Sequence, residues 1–171
     1  SSLLSASQER EQYRSMRYVS SEQFHLTVCF IGDTEEVLLP VIADALTECA
    51  GKLKPFSLAF DRIGTFPVKI RQPNMIWAFF QENEAFEELV RTVKNALVKA
   101  DPSFLRLREE WRKDIPHVTL ARFRGMDFPK QPRQPLTTVP ALSVETIELM
   151  DSVLYPDGPM YTKLAGFPFT P

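Results

Sequence analysis

The chain is poor in the residues from which many functional sites are built. Its 171 residues include two histidines, two cysteines and six glycines. Cys29 and Cys49 are too few for a disulfide framework or a structural zinc site, and the histidines do not complete one. We therefore expect reduced thiols in a cytoplasmic protein.

Long apolar runs and a basic surplus are also missing. No run reaches the ~18 apolar residues that span a bilayer, and the first ten residues lack the order of a signal peptide, so we predict no membrane contact. Lys and Arg number 20 against 22 Asp and Glu, whereas proteins that coat long nucleic acids carry a strong basic surplus. Any contact with RNA should be local, for example at a chain end. No obligate protein partner is evident.

What the chain does have is an alternation of helical and strand patterns. The predicted helices span 7–18, 34–50 and 83–100, and the predicted strands span 24–31, 56–66, 75–80, 117–124, 142–154 and 160–169. Their order predicts an α+β fold of two related lobes, each an antiparallel sheet covered by helices. We expect both lobes to form one domain over 1–171.

Both histidines open the same pattern, His-x-Thr-hydrophobic, in 25-HLTV-28 and 117-HVTL-120. Alternate residues of a strand point to the same face. Each predicted strand therefore offers an imidazole beside a hydroxyl, His25 with Thr27 and His117 with Thr119. If the strands face each other across a cleft, both pairs line one pocket.

Such a set of groups suits hydrolysis of a phosphodiester without a metal or other cofactor. An imidazole with a pKa near ~6.5 holds or releases a proton at neutral pH. One histidine takes a proton from the attacking water, the other protonates the leaving oxygen, and the threonines donate to phosphate oxygens. A single His-x-Thr is common by chance, but its occurrence once in each half favours a shared site.

Around these motifs the sequence resembles the two-histidine (2H) phosphoesterase superfamily. It is most similar to the bacterial and archaeal RNA 2′,3′-cyclic phosphodiesterases, a LigT-like family once called 2′-5′ RNA ligases. The similar segments are 22-EQFHLTVCFIGD-33, 64-GTFP-67, 75-MIWAFF-80, 115-IPHVTLARFR-124 and 147-IELMDSVLYPDGPMYTKLAGFPF-169. Together these motifs are highly specific for that family.

The resemblance implies a bilobal α+β fold, with two antiparallel sheets lining a central cleft and helices outside. It implies hydrolysis of a 2′,3′-cyclic phosphate at RNA 3′ ends to a 2′-phosphate. His25 is then the proton donor and His117 the acceptor, while Thr27 and Thr119 hold the phosphate. The expected partners are RNA 3′ ends or small nucleotides with a 2′,3′-cyclic phosphate.

Some residues depart from that pattern or have two interpretations. SSLLSASQ stands where the family has an apolar first strand, so we expect that strand to be missing or altered, or the natural N-terminus to be absent. Arg122 follows the second motif as it does in the family, yet strict alternation points it away from His117 unless a bulge reverses it. Phe66 and Trp77 are interpreted as core residues by default, although either ring can stack on a base. Tyr161 is interpreted as structural.

Two alternatives stay open. The first is a related 2H enzyme that acts on 2′-5′-linked oligonucleotides or small cyclic nucleotides, or that ligates 2′-5′ bonds, because only the pocket would differ. The second is a non-catalytic module that binds RNA ends or nucleotides.

Overall fold

The computed structural model of the chain describes residues 16–67, 74–108, 114–123, 140–155 and 158–171, and these form eight strands and two α-helices. The strands are β1 (Arg17–Tyr18), β2 (Phe56–Leu58), β3 (Phe60–Phe66), β4 (Met75–Phe80), β5 (His117–Arg122), β6 (Leu142–Val144), β7 (Thr146–Tyr155) and β8 (Gly158–Pro168). The helices are α1 (Leu39–Ala50) and α2 (Glu84–Ala100), and 3₁₀ turns span Ser21–Gln23, Glu36–Leu38 and Pro102–Arg108.

Helix α2 confirms the prediction for 83–100. Asn83 caps it, because its side-chain oxygen accepts a hydrogen bond from the Phe86 N–H at 3.1 Å. Glu84 lies in the first turn and Lys99 in the last, where each charge complements the helix dipole. The buried side follows the predicted spacing and consists of Phe86, Leu89, Val90, Val93 and Leu97.

Several predicted elements differ from the structure, and the strands predicted over 56–66 and 142–154 are each divided, into β2 and β3 and into β6 and β7. Helix α1 begins at Leu39 rather than at residue 34, because a 3₁₀ turn precedes it and Pro40 suits a first helical turn. Residues 17 and 18 of the predicted helix 7–18 form strand β1, and 7–15 lie outside the described residues.

The strand predicted for 24–31 is reduced to a single bridge at Leu26. Alternation puts Phe24, Leu26, Val28 and Phe30 on the side opposite His25, where a core would lie, yet Phe24 and Phe30 are 44% and 68% exposed. Leu26 and Val28 do pack against the core. The alternation therefore predicts the buried side correctly for Leu26 and Val28 and wrongly for Phe24 and Phe30.

All described sheets are antiparallel, which confirms an α+β fold with antiparallel sheets. One sheet has four strands in the order β1-β5-β4-β3, and the pairs β2-β6 and β7-β8 form two further ladders. Strand β5, which contains the second motif, is an inner strand, held on one side by β4 and on the other by β1.

The main hydrophobic core lies between the two helices, the 3₁₀ turn at Pro102–Arg108 and strands β2, β7 and β8. Its most deeply buried side chains include Leu58, Phe86, Leu97 and Phe104. None of the helices in the described residues is long and apolar enough to cross a membrane. Burial of large apolar side chains on both helices stabilises this core.

Candidate active site

The two His-x-Thr segments lie edge to edge as an antiparallel pair. A bridge joins Leu26 to Val118, the central residues of the two motifs. Residues flanking an antiparallel bridge face each other crosswise, so His25 lies opposite Thr119 and Thr27 lies opposite His117. These four side chains share one side of the sheet, which we call the histidine face. The structure thus brings together two segments that are far apart in sequence.

Each imidazole is fixed through Nδ1 by the carbonyl two residues earlier. Nδ1 of His25 lies 2.8 Å from the Gln23 oxygen, and Nδ1 of His117 lies 2.7 Å from the Ile115 oxygen. A carbonyl oxygen only accepts, so Nδ1 donates its proton to the bond in each case. Nε2 of both rings is therefore the nitrogen left for proton transfer.

His117 is covered by an aromatic stack. Its ring lies on Trp77, with centroids 3.5 Å apart and planes inclined by 16°. Trp77 stacks in turn on Phe66, with centroids 3.5 Å apart and planes inclined by 11°. Burial lowers the pKa of His117 below its ordinary value of 6.5; the bond to the Ile115 oxygen opposes this, and the charge of His25 adds to it. The neutral form, which accepts a proton, is therefore favoured at His117.

His25 has a different neighbour. Its ring meets the Tyr161 ring of β8 in a T-shaped contact, with centroids 4.4 Å apart and planes inclined by 62°. The Gln23 side-chain oxygen accepts a bond from the Tyr161 N–H at 3.3 Å, while the Gln23 main-chain oxygen holds His25. Gln23 thereby ties the first motif to strand β8.

A bulge in β5 places Arg122 on the histidine face. Thr119 pairs with Trp77 and Arg122 pairs with Met75, so β5 has one residue more than β4 over this stretch. Trp77 and Met75 are two residues apart and point to the same side, and cross-strand partners share a side. Arg122 therefore points to the side of Thr119, and its Nη1 lies 3.4 Å from the Met75 sulfur.

The polar groups of this face differ in exposure. Thr27 and Arg122 are exposed, whereas Thr119 is partly buried. Directly opposite Arg122 on β1 stands Arg17, which is exposed as well. Two cationic side chains therefore project near one end of the face, where an anion is attracted.

The loop that leaves the first motif is anchored at its end. Gly32 has φ +79°, a conformation that favours glycine. Arg106 donates a hydrogen bond to the Ile31 oxygen. A Cβ at position 32 would lie 3.3 Å from the Arg106 guanidinium, so glycine also gives this guanidinium its room.

A cavity of about 490 Å³ lies away from the four motif side chains. It opens near Pro116, which precedes the second motif, and Phe79 and Arg62 form part of its wall. Its acidic side chains outnumber Arg62 and comprise Asp61, Glu82, Glu87 and Asp114. This charge balance does not suit a phosphate, so we place the candidate site on the histidine face.

The geometry therefore supplies two imidazoles with available Nε2 atoms, two hydroxyls and a guanidinium on one face. Sequence reasoning assigned Trp77 and Tyr161 to structural roles and missed their contacts with the histidines. No local signal reveals these contacts, because each aromatic residue is more than 30 positions from the ring it touches.

Comparison with known proteins gives a family match. The model of the "2'-5' RNA ligase superfamily" matches residues 5–152. An RNA 2′,3′-cyclic phosphodiesterase of Geobacillus stearothermophilus is 32% identical over 155 residues, which cover 88% of this chain and 47% of that protein. The enzyme of the same name from Methanothermobacter thermautotrophicus is 27% identical over 157 residues, which cover 89% of this chain and 82% of that protein. The chain thus spans about half of the Geobacillus relative and most of the archaeal one.

Solved structures show the same fold. The crystal structure of TT0787 from Thermus thermophilus matches with a TM-score of 0.76 and 27% identity, covering 96% of this chain and 90% of that one. Escherichia coli LigT in complex with 3′-AMP matches with a TM-score of 0.62 and 20% identity, covering 92% and 82%.

Proposed function

Because the chain belongs to the 2′-5′ RNA ligase superfamily, we propose that it hydrolyses 2′,3′-cyclic phosphates at RNA 3′ ends to 2′-phosphates. The antiparallel pairing of the two motifs through Leu26 and Val118 carries this proposal. It sets two imidazoles and two hydroxyls on one face, a set of groups that suits acid–base hydrolysis of a phosphodiester. Relatives named RNA 2′,3′-cyclic phosphodiesterase support the reaction type.

In the proposed reaction His117 is the base and His25 the acid. Neutral His117 takes a proton at Nε2 from a water molecule, whose oxygen attacks the phosphorus. The bond from phosphorus to the ribose 3′ oxygen breaks, and that oxygen takes the proton from Nε2 of protonated His25. The products are a 2′-phosphate and a free 3′ hydroxyl, and the exchange of one proton at each histidine balances the step.

The phosphate is held by groups that donate to its oxygens. We assign this role to the hydroxyls of Thr27 and Thr119, which flank the two imidazoles crosswise. Arg122 joins them because the bulge in β5 turns it to the same side. A guanidinium donates two parallel, charge-assisted hydrogen bonds, which suits the charge of the transition state.

The proposed partners are RNA 3′ ends, or small nucleotides, that carry a 2′,3′-cyclic phosphate. A net charge of −2 agrees with recognition of an end rather than of a long strand. We also propose that the chain acts as one bilobal domain. The reduced thiols of Cys29 and Cys49 support a cytoplasmic location.

The test is hydrolysis of a short RNA ending in a 2′,3′-cyclic phosphate, in the presence of EDTA. We expect turnover to a 2′-phosphate, lost by about 10²-fold or more in His25→Ala and in His117→Ala, since each removes a general acid or base. Retained binding of the RNA by His117→Ala is the control for an intact site. Binding without turnover in the unmodified chain would identify a binding module instead, and turnover of only a 2′-5′-linked oligonucleotide would identify the related enzyme.

A further inference from the structure

The proposed reaction gives no role to Trp77, the buried ring beneath His117. Trp77 is 7% exposed and stacks on the imidazole at 3.5 Å, nearly parallel to it. Phe66 covers the other side of the indole at the same spacing. The three rings form a continuous stack, and Trp77 is clamped between its two partners.

Packing alone does not account for a tryptophan at this position. Its Nε1 is buried and has no hydrogen-bond partner among the described residues. A buried N–H without a partner costs roughly 1–3 kcal/mol, and a phenylalanine would avoid that cost. The indole thus gives up hydrogen-bonding energy and provides a wide, flat surface for the imidazole.

The stack and the backbone bond restrain different motions of His117. The Ile115 carbonyl at 2.7 Å fixes which nitrogen points away from the strand. One bond leaves the ring free to swing about the line that joins the two atoms. The Trp77 surface removes that freedom and also excludes water from one side of the ring.

We propose that Trp77 is a positioning residue that holds His117 in the orientation and the uncharged form of a general base. The role of His117 as a general base rests on the proposed function, whereas its contact with Trp77 does not. His25 meets the edge of the Tyr161 ring instead of lying flat on an indole, so the two histidines are not equivalent.

Within the part of the chain that the structure describes, few charges on the elements packed against His117 compete with this effect. Around it lie His25 of the first motif, Arg122 of its own strand, Arg17 of β1, Arg62 of β3 above the Phe79 ring, and Asp114, which pairs with Lys94 of α2. Burial is the largest influence on the pKa of His117 and the charge of His25 is a smaller one. Trp77 lies directly against one face of the His117 ring and so contributes to its burial.

Fluorescence tests the contact directly. Replacing the chain's other tryptophan, as in Trp111→Phe, leaves Trp77 as the single indole. A protonated imidazole stacked on an excited indole quenches its emission, and a neutral one does so far less. We expect emission to fall as the pH drops through a midpoint below 6.5, with no such step in Trp111→Phe/His117→Gln.

Kinetics then test the consequence. In Trp77→Leu we expect the ascending limb of kcat/KM to move up toward about pH 6.5 and the plateau to fall by roughly 10- to 100-fold, because the base is no longer oriented. Trp77→Phe should recover part of both, since it keeps an aromatic ring but a smaller face than the indole. Ile76→Ala, a change on the other side of the same strand, should lower stability and leave the limb in place.

The outcomes separate the inference from the proposed function. A titration that is independent of His117, or a Trp77→Leu variant with the original pH profile, overturns the positioning role. A His117-dependent titration in a chain that does not hydrolyse any cyclic phosphate leaves the contact established and overturns the proposed reaction.

Discussion

The carbonyl oxygens of Gln23 and Ile115 act on the two histidines from the main chain, so their effect depends on the path of the backbone and not on the side chain at those positions. Each bond fixes the Nδ1–H tautomer and leaves Nε2 free. The same short local arrangement therefore prepares both rings for proton transfer, and the rings differ in what packs against them.

Burial of His117 predicts a pH dependence of stability. Its pKa is lowered in the folded protein, so the unfolded chain binds the proton more readily. The stability it contributes is thus fully present above about pH 6.5 and is lost as the pH falls through and below that value. We expect the free energy of unfolding of the unmodified chain to drop more between about pH 7.5 and pH 5 than that of His117→Gln.

Urea denaturation at several pH values measures this difference. His25 is present in both proteins, so the difference between them reports His117 together with its interaction with His25. Parallel curves for the two proteins across this pH range would show that His117 does not prefer the neutral state in the fold.

At the scale of elements, the bulge in β5 determines on which side of the sheet Arg122 lies. Regular alternation would send Arg122 to the side opposite Thr119, and the extra residue returns it to the histidine face. Pairing with β4 creates this irregularity, because the register shifts opposite Trp77.

Arg122 should therefore matter for turnover. In Arg122→Ala we expect kcat to fall by roughly 10²- to 10³-fold, the usual effect of losing one donor to the charged transition state. Arg122→Lys should recover part of the loss, since a lysine keeps the charge but not the paired donors. Steady-state kinetics on the cyclic-phosphate RNA measure both, and Arg91→Ala, on the exposed surface of α2, is the matched control. Equal rates for Arg122→Ala and Arg91→Ala would remove Arg122 from the site.

Sequence patterns predicted what depends on neighbours along the chain. Helical spacing and the Asn83 cap located α2, and alternation placed His117 beside Thr119. Patterns did not predict what depends on partners distant in sequence. The bridge from Leu26 to Val118, the bulge in β5 and the rings against each histidine all arise from pairing between separate segments. The strand expected over 24–31 was too long because a β-rich run needs a partner along its length.

At the scale of the whole molecule, charge limits how RNA is held. The net charge is −2, and the histidine face offers two exposed arginines near one end, Arg17 and Arg122. Each phosphate that a protein neutralises on single-stranded nucleic acid contributes about −0.7 to the slope of log affinity against log salt, so two such contacts give a slope of about −1.4.

We expect this shallow dependence for binding of RNA to His117→Ala, which binds without turnover. Fluorescence anisotropy at salt concentrations from about 50 to 200 mM gives the slope, and RNAs of about 4 and 20 nucleotides should give the same value. A slope several times steeper, or one that grows with RNA length, would indicate a basic track along the strand.

The crosswise pairing of the two motifs has one further consequence. An antiparallel bridge has a local two-fold axis perpendicular to the sheet, here between Leu26 and Val118. Rotation about it exchanges His25 with His117 and Thr27 with Thr119. By themselves, these four side chains would accept a phosphodiester in either of two opposed orientations, and the acid and the base would be exchanged between the two histidines. The polarity of the reaction must then come from what breaks the symmetry: a flat indole under one imidazole, a phenol at the edge of the other, and the two arginines that the described residues place at one end.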